Sequence, residues 1–86
     1  MPDSWYVYIL RCSDNSLYTG IATDVDRRLD EHNNDNGLGA KYTRTRRPVA
    51  LVYQENAGSR SEASKREYAI RKLSKQDKEQ LVSDYK

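Results

Sequence analysis

Tyr6-Val7-Tyr8-Ile9-Leu10 is an aromatic and β-branched run, and the polar cluster Ser13-Asp14-Asn15-Ser16 turns the chain before Leu17-Tyr18-Thr19-Gly20-Ile21 resumes the same character. Two short apolar runs about a turn cluster predict a β-hairpin. The rest of the chain reads as helices and one more strand built around it.

Downstream, Thr23-Asp24-Val25-Asp26 offers a hydroxyl or carboxylate cap with an acid three residues on. Val25 and Leu29 then recur at helical spacing until Asn33-Asn34-Asp35-Asn36-Gly37, which predicts a short first helix. Residues 33 to 47 read as a polar loop. After Pro48, the run Val49-Ala50-Leu51-Val52-Tyr53 suits a buried third strand better than a helix. Ser59 with Glu62 has capping-box spacing, and Ala63, Glu67, Ile70 and Leu73 fall on one face of a second helix. Ser74 with Asp77 predicts a last short helix over 75–85, with Leu81, Val82 and Tyr85 as its apolar face. The expected class is α+β: a small three-stranded mixed or antiparallel sheet flanked by helices in the order β-β-α-β-α-α, with a core over about 5–73.

An 86-residue chain predicts one domain over residues 1–86, near the lower size at which a hydrophobic core suffices alone. Hydrophobic residues are 36% and charged residues 33%, with a mean hydropathy of -1.03, so the core is thin and the surface charged. The longest uncharged apolar stretch, Trp5 to Leu10, falls far short of the ~20 residues of a spanning helix, and no charged-then-apolar leader precedes it. No membrane association and a cytoplasmic location are expected. The single cysteine, Cys12, excludes an internal disulfide, and the single histidine, His32, excludes paired Cys/His zinc spacings. Any metal would be held mainly by oxygen.

Three features strain a purely structural reading. Glu67 interrupts the apolar stripe of the second helix, where a carboxylate is rarely buried unless paired or bound to metal; a structural account pairs it with Lys65, Arg71 or an arginine of another element. Arg28 and His32, four apart, share a face of the first helix. Structurally, Arg28 could pair with Asp24 or Asp26, and His32 could answer the helix macrodipole. Lys41, Arg44, Arg46 and Arg47 crowd a stretch without an acid, which suits either a solvated basic loop or a grip on phosphates. The chain also has seven tyrosines and no phenylalanine, so hydroxyl tips are favoured over dry packing.

Val7-Tyr8, then Tyr18-Thr19-Gly20 ten residues on, Arg28 ten after Tyr18, His32 four later and Glu67 on a later helix resemble the ordered signature of the GIY-YIG nucleases. Gly39-Ala40-Lys41-Tyr42-Thr43-Arg44 and Arg66-Glu67 make the chain most similar to the small stand-alone bacterial members. Departures are Tyr6 for the first glycine of the family name, Val7 for its isoleucine, and Thr19 for the isoleucine of the second triplet. Ile21 also stands where many relatives carry lysine or serine, and a late asparagine of some relatives has no assured counterpart.

The resemblance implies a metal-dependent endonuclease acting on nucleic acid, DNA rather than RNA, with single-stranded or branched structure and without specificity for a long duplex sequence. Glu67 would be the sole protein ligand of one Mg²⁺ or Mn²⁺, with water and phosphate completing the shell. Arg28 would hold the scissile phosphate through its planar fork. Tyr8, Tyr18 or His32 would accept the proton of the attacking water, and the residues leave the three open. Gly20 would be architectural, letting backbone pass close to the site or adopt a conformation barred to other residues. Lys41, Arg44, Arg46 and Arg47 would track the phosphate backbone, and Tyr42 would stack on an unpaired base. A role in DNA repair or recombination fits that substrate class, with a protein partner supplying specificity. The alternatives are a non-catalytic nucleic-acid-binding module on the same fold and a protein-interaction domain.

Overall fold

The hairpin is present and forms the middle of the fold. In the computed structural model, which describes residues 4–85, strand β1 (Tyr6–Arg11) pairs antiparallel with β2 (Leu17–Ala22), from Tyr6 opposite Ala22 to Arg11 opposite Leu17. Asp14 closes the turn by accepting from the backbone N–H and the hydroxyl of Ser16. Asn15 takes the left-handed conformation at φ 71, which asparagine tolerates better than most residues.

Strand β3 (Ala50–Asn56) adds to the other side of β1, again antiparallel, so the order is β2-β1-β3 and β2 is an edge. The sheet is therefore antiparallel throughout. A central strand covered on both faces needs no polar side, which is why Val7, Tyr8, Ile9 and Leu10 are all buried. Pairing shifts register between Ile9 and Leu10, leaving Val52 as the extra residue of β3. Val52 and its neighbour Tyr53 consequently both pack on one face, while Leu51 packs on the other.

Helix α1 (Val25–Asn34), capped by Asp24, covers the face of Tyr8, Leu10 and Leu51 with Val25 and Leu29. The other face, bearing Val7, Ile9 and Val52, is covered by α3 (Arg60–Arg71) through Ala63 and Ile70. Helix α4 (Lys75–Asp84) contributes Leu81 and Val82 to that second cluster. Ser59 and Ser74 cap α3 and α4 by accepting from the N–H groups of Glu62 and Asp77. Arg11 grips Glu79 with two bonds at 2.8 and 2.6 Å, fastening α4 to the end of β1.

The stretch from 33 to 47 departs from the expected plain loop, because it contains a single helical turn, α2 (Lys41–Arg44). Its basis is tertiary. Thr43 is fully buried, and Gly39 lets the chain fold back so closely that a Cβ would lie 2.9 Å from the Glu31 carbonyl oxygen and 2.8 Å from that of Asp35. Asn33 ties α1 to the start of β3 by pairing with both backbone polar groups of Val49.

No helix among the described residues is long and apolar enough to cross a membrane. The second core depends most on Ile70, which is fully buried against the sheet. Ile70→Ala should destabilise the protein by about 2–5 kcal/mol and Ile70→Val by about 1 kcal/mol in urea denaturation; near-wild-type behaviour of the alanine variant would place the core elsewhere.

Candidate active site

The site forms along the exposed edge of the sheet, and one glycine opens it. Tyr8 on the central strand lies directly opposite Gly20 on β2. A Cβ at Gly20 would stand 2.5 Å from the Tyr8 hydroxyl oxygen and 2.7 Å from the ring carbon that bears it. The missing side chain is therefore what lets the phenol cross β2. Of the two roles open to this glycine, close approach is the one observed.

The Tyr8 hydroxyl reaches His32 Nε2 at 2.9 Å, and His32 Nδ1 meets the Thr43 hydroxyl at 2.8 Å. Thr43 in turn donates to the Ala40 carbonyl at 3.0 Å. A hydroxyl has one proton to give, so Thr43 accepts from Nδ1–H, which leaves Nε2 as a lone pair accepting the Tyr8 proton. The Ala40 N–H also points at Nδ1, but at 3.5 Å it is the weakest of these contacts and yields to the shorter ones. His32 is completely buried, and that burial, with the charge of Arg28 adding to it, lowers its pKa to about 4. It is thus neutral near pH 7. Burial and the neighbouring Tyr18 push the Tyr8 phenol up to about 12, against the opposing pull of Arg28.

Arg28 stands beside the Tyr8 hydroxyl and is held from the other side by Glu31 at 2.9 Å and the Leu38 carbonyl at 2.5 Å. Its partner is therefore Glu31, not Asp24 or Asp26. Tyr18, on β2, meets the His32 ring edge-on with centroids 5.2 Å apart. Burial raises the Tyr18 phenol, with Arg28 and Arg71 opposing that rise and Glu67 reinforcing it. Arg28 from α1, Glu67 and Arg71 from α3, and the two tyrosines from the sheet thus share one electrostatic neighbourhood.

Glu67 is partly buried, and its charged neighbour is Arg71 at 3.8 Å. Among the described residues, no hydrogen bond reaches its carboxylate, and no group of three or more His, Cys, Asp or Glu side chains could enclose a metal. A cation here would take one protein carboxylate and draw its other ligands from water and substrate, a shell that suits a hard ion such as Mg²⁺.

The basic stretch divides. Lys41 and Arg44 are exposed on α2. Arg46 lies over the Tyr42 ring at 3.9 Å and pairs with Asp14 at 3.1 Å. Arg47 is engaged within the fold. Its guanidinium donates to the carbonyls of His32 at 2.6 Å and Asp35 at 3.1 Å and to the Asn36 side chain, satisfying the open end of α1. Tyr42 stacks on Tyr18 at 5.8 Å, so a base stacking there must replace a partner it already has. Beside this stack opens a cleft of about 280 Å³ lined by Leu17, Tyr18, Thr19, Tyr42, Arg71 and Lys78.

Sequence reasoning missed Thr43 and Arg71 as members of the site. Arg71 carried a signal, four residues after Glu67 on the same helical face; Thr43 carried none, since only the fold turns it inward.

The GIY-YIG catalytic domain matches residues 4–80. The chain is 58% identical over 79 residues to the UPF0213 protein DP2720 of Desulfotalea psychrophila, covering 92% of this chain and 71% of that protein. It is 55% identical over 82 residues to UPF0213 protein SSP2268 of Staphylococcus saprophyticus, covering 95% and 98%. The solution NMR structure of the UPF0213 protein BH0048 from Bacillus halodurans aligns with a TM-score of 0.58 at 52% identity, covering 93% of this chain and 83% of that one. That of EF2693 from E. faecalis aligns with a TM-score of 0.62 at 45% identity, with the same coverage.

Two outcomes follow from the buried network. His32 binds its proton less readily folded, at about 4, than unfolded, near 6.5. Its contribution to stability is complete above about pH 6.5 and is lost as pH falls toward 4, by up to about 3 kcal/mol. NMR titration of the imidazole should show no transition near pH 6.5 in the folded protein; a normal titration there would refute the neutral, Tyr8-bonded state. Gly20→Ala should displace the Tyr8 ring, costing about 1–3 kcal/mol and shifting the His32 ring signals; unchanged signals would show that the Cβ is accommodated.

Proposed function

The chain belongs to the GIY-YIG catalytic-domain family, and from that premise we propose that it is a metal-dependent endonuclease hydrolysing phosphodiester bonds in DNA. The observation that carries the reading is the convergence, from four separate elements, of Tyr8, Tyr18, Arg28 and Glu67 beside a buried neutral His32. The preferred substrate is single-stranded or branched DNA, and a part in repair or recombination follows from that preference. The support is the aromatic wall of Tyr18 and Tyr42 beside the cleft, on which an unpaired base can stack in place of one ring's present partner.

Hydrolysis requires a deprotonated water in line with the phosphorus, and neutralisation of the charge that builds on the phosphoryl and leaving oxygens. A Mg²⁺ or Mn²⁺ ion held by Glu67 would supply that neutralisation as a Lewis acid. Arg28, held from behind by Glu31, presents its remaining donors to the phosphate oxygens and stays charged throughout. Tyr18 receives the water's proton as phenolate. The water oxygen bonds to phosphorus as the bond to the leaving oxygen breaks.

Three observations favour Tyr18 over Tyr8 and His32 for that transfer. Tyr8 is 2% exposed, and its proton is directed to His32. The His32 lone pair is occupied by that proton. Tyr18 lines the cleft, with Arg28 and Arg71 both lowering the cost of its phenolate. Tyr8 and His32 then act as positioning residues, holding the site's geometry from beneath. Lys41, Arg44 and Arg46 contribute general attraction to the phosphate backbone.

The test is cleavage of labelled single-stranded, duplex and branched DNA, and of RNA, with Mg²⁺, Mn²⁺ or EDTA. Metal-dependent cutting should fall at least a hundredfold in Glu67→Ala and by about 10²–10⁴-fold in Tyr18→Phe. Because burial raises the Tyr18 phenol, the phenolate fraction is small near neutrality, so the rate should climb about tenfold per pH unit from pH 6 to 8. Binding without cutting on every substrate would instead identify a nucleic-acid-binding module, and a flat pH profile would remove Tyr18 from the role of base.

A further inference from the structure

Beyond the cleft next to Tyr18 lies a second, of about 450 Å³, lined by residues of the β1–β2 turn together with Leu17, Tyr42, Lys75 and Lys78. The two clefts share Leu17, Tyr42 and Lys78, so they form one groove leading away from the candidate active site along the start of β2. The charge of this groove is one-sided. The first cleft has Arg71 and Lys78 on its wall and no acid. The second has a single acid, Asp14, and that carboxylate is already paired with Arg46 at 3.1 Å. Lys75 is occupied, donating to the Asn15 carbonyl at 2.7 Å and pairing with Glu79 at 2.9 Å. The Lys78 side chain has no ion pair or hydrogen bond among the described residues, although the residue is half-buried and lines both clefts.

At the other end of β2 the surroundings differ. The cleft there, about 200 Å³, carries Asp24 and Glu31 beside Arg27 and Arg28, and Glu31 already bonds both arginines. Of the two ends of β2, the Leu17 end is thus the one that offers a polyanion leaving the active site unbalanced positive charge. An unpartnered, partly desolvated ammonium on a concave wall is stabilised by an anion, and a phosphodiester is the anion that the adjoining site is built to receive.

We propose that Lys78, in the first turn of α4, is a phosphate subsite for the strand that flanks the scissile bond on the Leu17 side. Tyr18 and Tyr42 line the cleft that Lys78 borders, and Tyr18 is also within the electrostatic reach of Arg28. The assignment rests on the nuclease reading for the identity of the polyanion. Helix α4 is thereby part of the substrate-binding surface as well as a cover for the sheet.

The experiment is fluorescence anisotropy with a short labelled single-stranded DNA in EDTA, where no turnover occurs, across a salt series. Lys78→Gln should weaken binding about three- to tenfold and reduce the slope of log affinity against log salt by about 0.7, the value of one lost phosphate contact on a single strand. Lys78→Arg should restore both, and Lys65→Gln, which removes the same charge outside the groove, should change neither. In cleavage assays Lys78→Gln should raise KM and leave kcat unaltered. Wild-type affinity and slope in Lys78→Gln, or an equal loss in Lys65→Gln, would overturn the subsite while leaving the nuclease reading intact. Failure of the wild-type chain to bind any oligonucleotide would overturn both, and binding lost in Lys78→Gln without cleavage by any form would sink only the nuclease reading.

Discussion

The hydrogen bond from Tyr8 to His32 is the constraint on which the site depends. It joins the central strand to α1 across the face of the edge strand, and it exists only because Gly20 leaves the space for the phenol to pass. The bond also sets direction. With Thr43 donating to Ala40, the imidazole must present a lone pair to Tyr8, so the tyrosine's own lone pairs are left facing Arg28. A buried chain of this kind is worth more than its separate bonds, because each member fixes the orientation of the next. The one-turn helix α2, which contributes little to the core, matters because it supplies Thr43 to that chain.

Charge is distributed differently from hydrogen bonding. Buried members of the network are neutral, with His32 held at about 4 and Tyr8 at about 12, so the interior carries no unpaired ion. The charged members, Arg28, Glu67 and Arg71, sit at the rim, where water and substrate can reach them. Such an arrangement keeps the scaffold insensitive to small changes of pH near neutrality and, under the proposed function, leaves the chemistry to groups whose partners arrive with the substrate. Glu67 fits this division: one partly buried carboxylate on a helical stripe, with an arginine neighbour too distant for a close pair.

Much of the fold was legible because its signals are local. The turn at Ser13-Asp14-Asn15-Ser16, the caps Asp24, Ser59 and Ser74, and the stripe of Ala63 and Ile70 each declare themselves within a few residues, and each is found. The site was legible differently: Tyr8, Tyr18, Arg28, His32 and Glu67 stand out by resemblance, and the structure brings them together without assigning their roles. What stayed hidden is long-range. Arg47 looks like its basic neighbours, yet it closes the end of α1, because only the folded chain brings the carbonyls of His32 and Asp35 to its guanidinium. The single turn of α2 has too few residues for any periodicity, and it forms because the chain after Gly39 is pressed against α1. Lys78 reads as one more charge on an exposed helix face until the groove between α4 and the β1–β2 turn is seen.

The proposed function requires a divalent cation held by Glu67 when nucleic acid is present. Paramagnetic NMR tests it most directly. Trace Mn²⁺ would be added to labelled protein bound to a phosphorothioate oligonucleotide that resists cleavage. The proposed site predicts that the signals of Gly20, Arg28 and Glu67 broaden first, and that Glu67→Ala abolishes the effect. Broadening centred on another acidic part of the surface, or none at millimolar Mn²⁺, would contradict it.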